Sequence, residues 1–149
     1  MLTDNEISMV LSNELITDIA DKLEAGLKCY LNTVTQEVVS FPDKNRVVGG
    51  DLEEWEEEIQ TVEKNPKIYR EINSMNFSES YILMQEFVNI VEDKNMKSRL
   101  AQAIQGPKPF SNFKMQIARS GALRETWFSF KSDKVIEWVR SQLVISGNK

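Results

Sequence analysis

The sequence predicts an α+β fold: a helix-dominated single domain with a small antiparallel sheet and a C-terminal helical bundle. Three observations predict it. Residues 28–31 and 37–41 are rich in aromatic and β-branched side chains and flank a polar segment, the pattern of a hairpin. Apolar residues recur at helical spacing through most of the remaining chain. From Ser78 onward no strand-like run interrupts that helical pattern. Strands in the first part and helices in the last is the order of an α+β domain. At 149 residues the length prior gives one domain over residues 1–149. A chain of that size can bury a substantial core without disulfides or metals.

Residues 1–12 have no clear period and read as a short strand or a frayed end. A helix is predicted over 13–25, because Ile16, Ile19, Ala20, Leu23 and Leu27 keep the spacing of one buried face. Asn13 can cap its start, and Gly26 stands where a left-handed residue would end it. The hairpin follows, with residues 32–36 as its turn. Pro42 ends the second strand because it has no ladder donor. Residues 42–50 read as a loop closing on Gly49 and Gly50. A second helix starts at Asp51, which with Glu54 three residues on makes a capping-box variant. Leu52, Trp55, Ile59 and Val62 form its apolar stripe, and Asn65 with Pro66 stops it. Residues 68–72 read as a short third strand.

The helical part begins with Ser78 as cap, and Tyr81, Met84, Phe87, Val88 and Val91 face inward. The next helix carries Met96, Leu100, Ala103 and Ile104. Gly106 and Pro107 stop it. Another runs over 109–119 with Phe110, Phe113 and Ile117 inward, ending before Gly121. A region over 122–130 then leads into a last helix, capped by Ser132 or Asp133, with Val135, Trp138, Val139 and Leu143 inward.

Charge is unevenly spread. Residues 1–93 hold 7 Lys/Arg against 20 Asp/Glu, and residues 94–149 hold 11 against 3. The domain therefore has an acidic part, 1–76, and a basic all-helical part, 77–149. The net charge is −5. Two oppositely charged parts either attract each other within the fold or serve different partners. The same polarity predicts a homo-oligomer, acidic part to basic part.

The order and spacing of several segments are similar to those of uncharacterised protein family 0158. The segments are the helix from Ile16 to Gly26 running into Tyr30 and Leu31, and the hairpin residues Glu37, Val38 and Val39. Met84 with Phe87 follows, then Phe110, Phe113 and Lys114. The most specific pair is Trp127, Phe128, Phe130 and Lys131, followed by Glu137, Trp138 and Val139. Similar sequences carry a Gly before the hairpin Glu, where this chain has Gln36. The resemblance implies a small bacterial protein with no established activity, and it supplies no catalytic residues.

The chain has no His and a single Cys. That removes the commonest general base, the Ser–His and Cys–His nucleophile pairs and the donor set of a structural zinc site. Gly49 and Gly50 precede Asp51 and lack the Lys-Ser/Thr of a phosphate loop. No EF-hand pattern occurs. No cofactor, metal ligand or catalytic residue is identified. The carboxylates of Asp51, Glu53, Glu54, Glu56, Glu57 and Glu58 read first as a solvated face, second as a partner patch and last as metal or acid–base chemistry. Cys29 reads as a small buried apolar residue.

What remains is a cytoplasmic, non-enzymatic protein-binding or regulatory module. Compartment follows from the lone Cys29, the absence of a secretory pattern in the acidic N-terminal residues and the absence of a membrane-spanning apolar run. The candidate partner surface is Arg124, Trp127, Phe128, Lys131 and Lys114, where aromatics and cations interleave. Trp127 and Phe128 are adjacent, so on a helix they point about 100° apart and one can face solvent. The alternative is a nucleic-acid-associated protein that binds weakly through the basic C-terminal region, using aromatic stacking and phosphate contacts.

Overall fold

The computed structural model describes residues 11–43 and 51–147, with the side chains of 51–52 and 144–147 outside the description. The expectations for residues 1–10, for the loop over 44–50, and for the side chains of Asp51 and Leu52 therefore lie outside the described residues. The chain divides into two compact units. One comprises Met1–Ser74 with Val135–Lys149, and the other Met75–Lys134.

The first unit opens with helix α1, Asn13–Glu24. Its cap is Ser12, not Asn13: the Ser12 hydroxyl accepts from the Leu15 amide at 3.1 Å. Asn13 is already helical, and its side-chain oxygen instead accepts from the Arg140 guanidinium. Ile16, Ile19, Ala20 and Leu23 are buried as their spacing predicts. Gly26 takes φ 87°, the left-handed conformation that ends the helix without a Cβ penalty. Leu27 consequently starts the next element and does not extend the helical face.

Strands β1 (Leu27–Asn32), β2 (Val38–Pro42) and β3 (Tyr69–Ile72) form an antiparallel sheet in the order β2-β1-β3. Pairing runs from Leu27 opposite Pro42 to Leu31 opposite Val38, and from Cys29 opposite Ile72 to Asn32 opposite Tyr69. Alternation along a strand sends successive side chains to opposite faces. Cys29, Leu31 and Ile72 are buried on one face, and the Cys29 thiol reaches the Ile19 carbonyl of α1 at 3.9 Å. On the other, Tyr30, Val39 and Tyr69 pack with Phe41 against Ile59, Val62 and Trp55. The hairpin turn is held by Asn32, whose side chain accepts from the amides of Val34 and Thr35, both at 2.9 Å. Gln36 sits at φ 64°. A side chain pays for that conformation and glycine does not.

The acidic segment differs from its prediction. Asp51–Trp55 is a 3-10 turn, and the α-helix proper, α2, is Glu56–Lys64. Trp55 occupies its cap position and makes no side-chain cap bond. A 3-10 turn aligns residues i and i+3, so Glu53 with Glu57 and Glu54 with Glu58 are not the stacked i, i+4 pairs of a continuous α-helix. Ile59 and Val62 are buried and Trp55 half-buried.

The second unit is helical: α3 (Phe77–Ile90), α4 (Lys94–Gln105), α5 (Pro109–Ser120) and the start of α6 (Ala122–Gly147). Helix α3 is capped by Asn76, not Ser78. Asn76 Oδ1 accepts from the Glu79 amide at 2.8 Å and Glu79 Oε1 accepts from the Asn76 amide at 2.9 Å, a reciprocal capping box. Asp93 caps α4 through the amides of Asn95 and Met96. Gly121, at φ 66°, separates α5 from α6. Leu83, Met84, Phe87, Val88, Val91, Leu100, Ile104, Phe113, Ile117 and Trp127 form one buried cluster. Its centre is aromatic: Trp127 lies edge-on to Phe87 at 5.1 Å and to Phe113 at 4.7 Å.

Helix α6 is continuous, which corrects the expected break. Ser132 and Asp133 lie within it and cap nothing. Neither residue costs more than a few tenths of a kcal/mol in a helix, and no Gly or Pro stands between Ala122 and Ser146. From Val135 onward the helix belongs to the first unit. Val135, Val139 and Leu143 are buried there, as their spacing predicts. Trp138 is only half-buried; its indole N–H donates to the Asn73 carbonyl at 2.7 Å. Gln142 completes the attachment, accepting from the Asn73 amide and donating to its carbonyl, both at 2.7 Å.

Candidate partner surface

Helix periodicity decides which members of the expected surface reach solvent. Arg124, Phe128 and Lys131 are spaced i, i+4, i+7, which places them on one face over successive turns. Trp127 falls on the neighbouring face. It is 7% exposed and packed in the aromatic cluster, whereas Phe128 is 53% exposed. Trp127 is thereby removed from the candidate surface: the phase that buries Leu123, Trp127 and Phe130 in the helical core turns Phe128 outward. The Arg124 guanidinium lies 5.7 Å from the Phe128 ring centre, a cation–π contact at an exposed site. Lys131 is half-buried on the same stripe. Lys114 is exposed but stands on α5, after buried Phe113, and is not part of that stripe.

Other exposed apolar side chains in this unit escaped the sequence reading. Phe77, Ile82, Ile90 and Met115 are each exposed. Ile82 and Ile90 are eight residues apart with Glu86 midway. The helical phase sets Ile82 opposite the core stripe of Leu83, Met84, Phe87 and Val88, while Ile90 falls at its edge, about 20° from Leu83. Phe77 packs edge-on to Phe110 at 4.8 Å and stacks on Tyr81 at 6.3 Å. Tyr81 in turn donates to the Ile104 carbonyl at 2.6 Å and lines a groove of about 350 Å³ with Gln85, Val88, Asn89, Ala101, Ile104 and Gln105. Lys134 is held over the Phe130 ring at 5.5 Å and pairs with Glu86 at 3.6 Å.

The first unit offers a polar cleft of about 240 Å³ where β1 and β3 begin and end, lined among others by Lys28, Asp43, Glu71 and Asn73. Lys28 pairs with Glu71 at 3.5 Å. Burial works against its charge, but the Tyr30 hydroxyl and the Glu71 carboxylate outweigh burial and raise its pKa. Cys29 is fully buried, and burial pushes its thiol up to about 11, with Lys22 opposing and Asp18 adding. A thiol so placed is a packing residue and not a nucleophile.

Among the described residues, no group of three or more Cys, Asp or Glu is placed to hold a metal ion. Among the same residues, no helix is long and apolar enough to cross a membrane.

The molecule is thus a helix-dominated α+β protein whose helical unit presents a cationic–aromatic stripe. Residues 6–146 match the uncharacterised protein family UPF0158, and the chain belongs to that family. A UPF0158 protein of Pseudomonas aeruginosa is 30% identical over 77 residues, 52% of this chain and 50% of the relative. The match thus spans about half the length of that curated relative. No solved structure matches the chain.

Proposed function

We propose that this protein is a non-enzymatic binding module that docks another protein on the Arg124–Phe128–Lys131 stripe. The observation that supports the reading is Phe128. A large aromatic is held at 53% exposure beside a buried Trp127, with a cation over its ring. Exposing a ring has no folding benefit, and aromatic side chains with Arg are the residues enriched at interface centres. The missing His removes the chemistry most enzymes use for proton transfer. The unpaired cations on the stripe favour an acidic partner, since complementary charge speeds encounter and excludes wrong partners.

A direct test is affinity capture from nuclease-treated native lysate with the wild-type chain beside Phe128→Ala and Arg124→Glu. The expected result is a partner retained by the wild type, lost in both variants and released by moderate salt. Equal capture by Phe128→Ala would overturn the reading. A partner that disappears with nuclease treatment supports the nucleic-acid alternative instead, whose phosphate contacts should weaken steeply with salt.

A further inference from the structure

Among the described residues, the acidic segment and the cationic stripe carry exposed charge of opposite sign. Glu53, Glu54 and Glu57 are exposed, and among the described residues none of their side-chain carboxylates holds an ion pair or hydrogen bond. Asp18 pairs with Lys22, Glu71 with Lys28 and Glu86 with Lys134. Lys131 likewise has no ion pair among the described residues, and the guanidinium of Arg124 is engaged by the Phe128 ring. Crowded carboxylates repel one another on a helix. The helix dipole relieves part of that repulsion at an N-terminus, by a few tenths to about 1 kcal/mol.

We propose that the occupant of the Arg124–Phe128–Lys131 stripe is the acidic segment 53–57 of a second copy of this chain. The proposal rests on the stripe being a docking surface, as argued above, and names its partner. Charge complementarity carries it: three unpaired carboxylates on one side, two cations flanking an exposed ring on the other. The lengths also match. Seven helical steps from Arg124 to Lys131 span about 10 Å, and the segment from Glu53 to Glu57 spans about 6–8 Å. Each chain carries both halves of the contact, so the association closes as a dimer if the two contacts are reciprocal and runs on as a chain if they are not. An interface of a few charged side chains is weak and strongly screened by salt.

Sedimentation of the purified chain over a concentration series tests this. Reversible association is expected at about 50 mM salt, weakening at least tenfold by about 500 mM, where the Debye length has contracted to a few Å. Glu53→Lys with Glu57→Lys in one chain should give a monomer, as should Arg124→Glu with Lys131→Glu in another. Mixing the two reversed chains should restore association as a heteromer, which also shows that both remain folded. A wild-type monomer at low salt and high concentration overturns the proposal. So does a reversed chain that still self-associates, or a mixture that does not combine. A monomeric wild type whose lysate partner is still lost on Phe128→Ala overturns only the second copy as occupant; a partner insensitive to Phe128 overturns the docking surface itself.

Discussion

Removing the Trp127 side chain would empty the space between Phe87 and Phe113, while removing that of Phe128 would empty only solvent. Trp127→Ala is expected to cost about 3–5 kcal/mol, the range for a large aromatic in a packed core. Phe128→Ala should stay within about 0.5 kcal/mol, as surface changes do. Urea denaturation of the two variants checks both values. The sequence showed that adjacent residues must point apart, but not which one faces inward. That depends on the tilt of α6 against α3 and α5, a packing property that no local pattern records. Cys29 gives a second residue-scale prediction. Its thiol rises from 9.0 to about 11 in the folded protein, so the folded state keeps a proton that the unfolded state has released over that range. Stability from this group is complete below about pH 8.5 and is lost as pH climbs through about 11, amounting to about 2–3 kcal/mol. Denaturation midpoints at pH 8 and pH 10.5 should fall for the wild type and fall less for Cys29→Ala.

At the scale of elements, every helix and strand within the described residues was legible in outline, because periodicity is a property of the sequence itself. The ends were not. Ser78 and Asn76 are both good cap residues, and what selects Asn76 is the Glu79 three positions on, which closes the capping box. Asn76→Ala should therefore cost about 1–2 kcal/mol and Ser78→Ala a few tenths, measured as shifts in thermal midpoint. The turn at Gln36 is the reverse case. Its φ of 64° is a left-handed dihedral that suits glycine better than a residue with a side chain. Gln36→Gly is expected to stabilise by about 0.5–1 kcal/mol, the difference between the left-handed strain and glycine's own entropy cost. A destabilising effect in the same melting assay would mean that the Gln36 side chain has a packing role which outweighs its strain. Helix α6 was read as two elements because Ser132 and Asp133 look like a start signal. Capping types inside a helix cost little, so the polar run Lys131–Lys134, across which the buried face changes, remains helical.

For the whole molecule, the sign of the charge changes in the sequence near residues 93–94, inside the second unit and not at its boundaries. The return of the last helix to the first unit was not visible at all, since contacts between residues 70–73 and 138–142 are long-range hydrogen bonds with no local trace. The buried cluster of the second unit is drawn wholly from residues 75–134. A fragment of those residues is expected to be helical by circular dichroism and to melt cooperatively. Trp127 is its single tryptophan, so blue-shifted emission would report an intact core, and emission at the wavelength of free indole would refute it. The interrupted layout of the first unit also makes the two units depend differently on chain order. Residues 75–134 form one unbroken run whose buried cluster draws on nothing outside it. The first unit is split in two, and its strand end at Asn73 is held by Trp138 and Gln142 from the far side of that run.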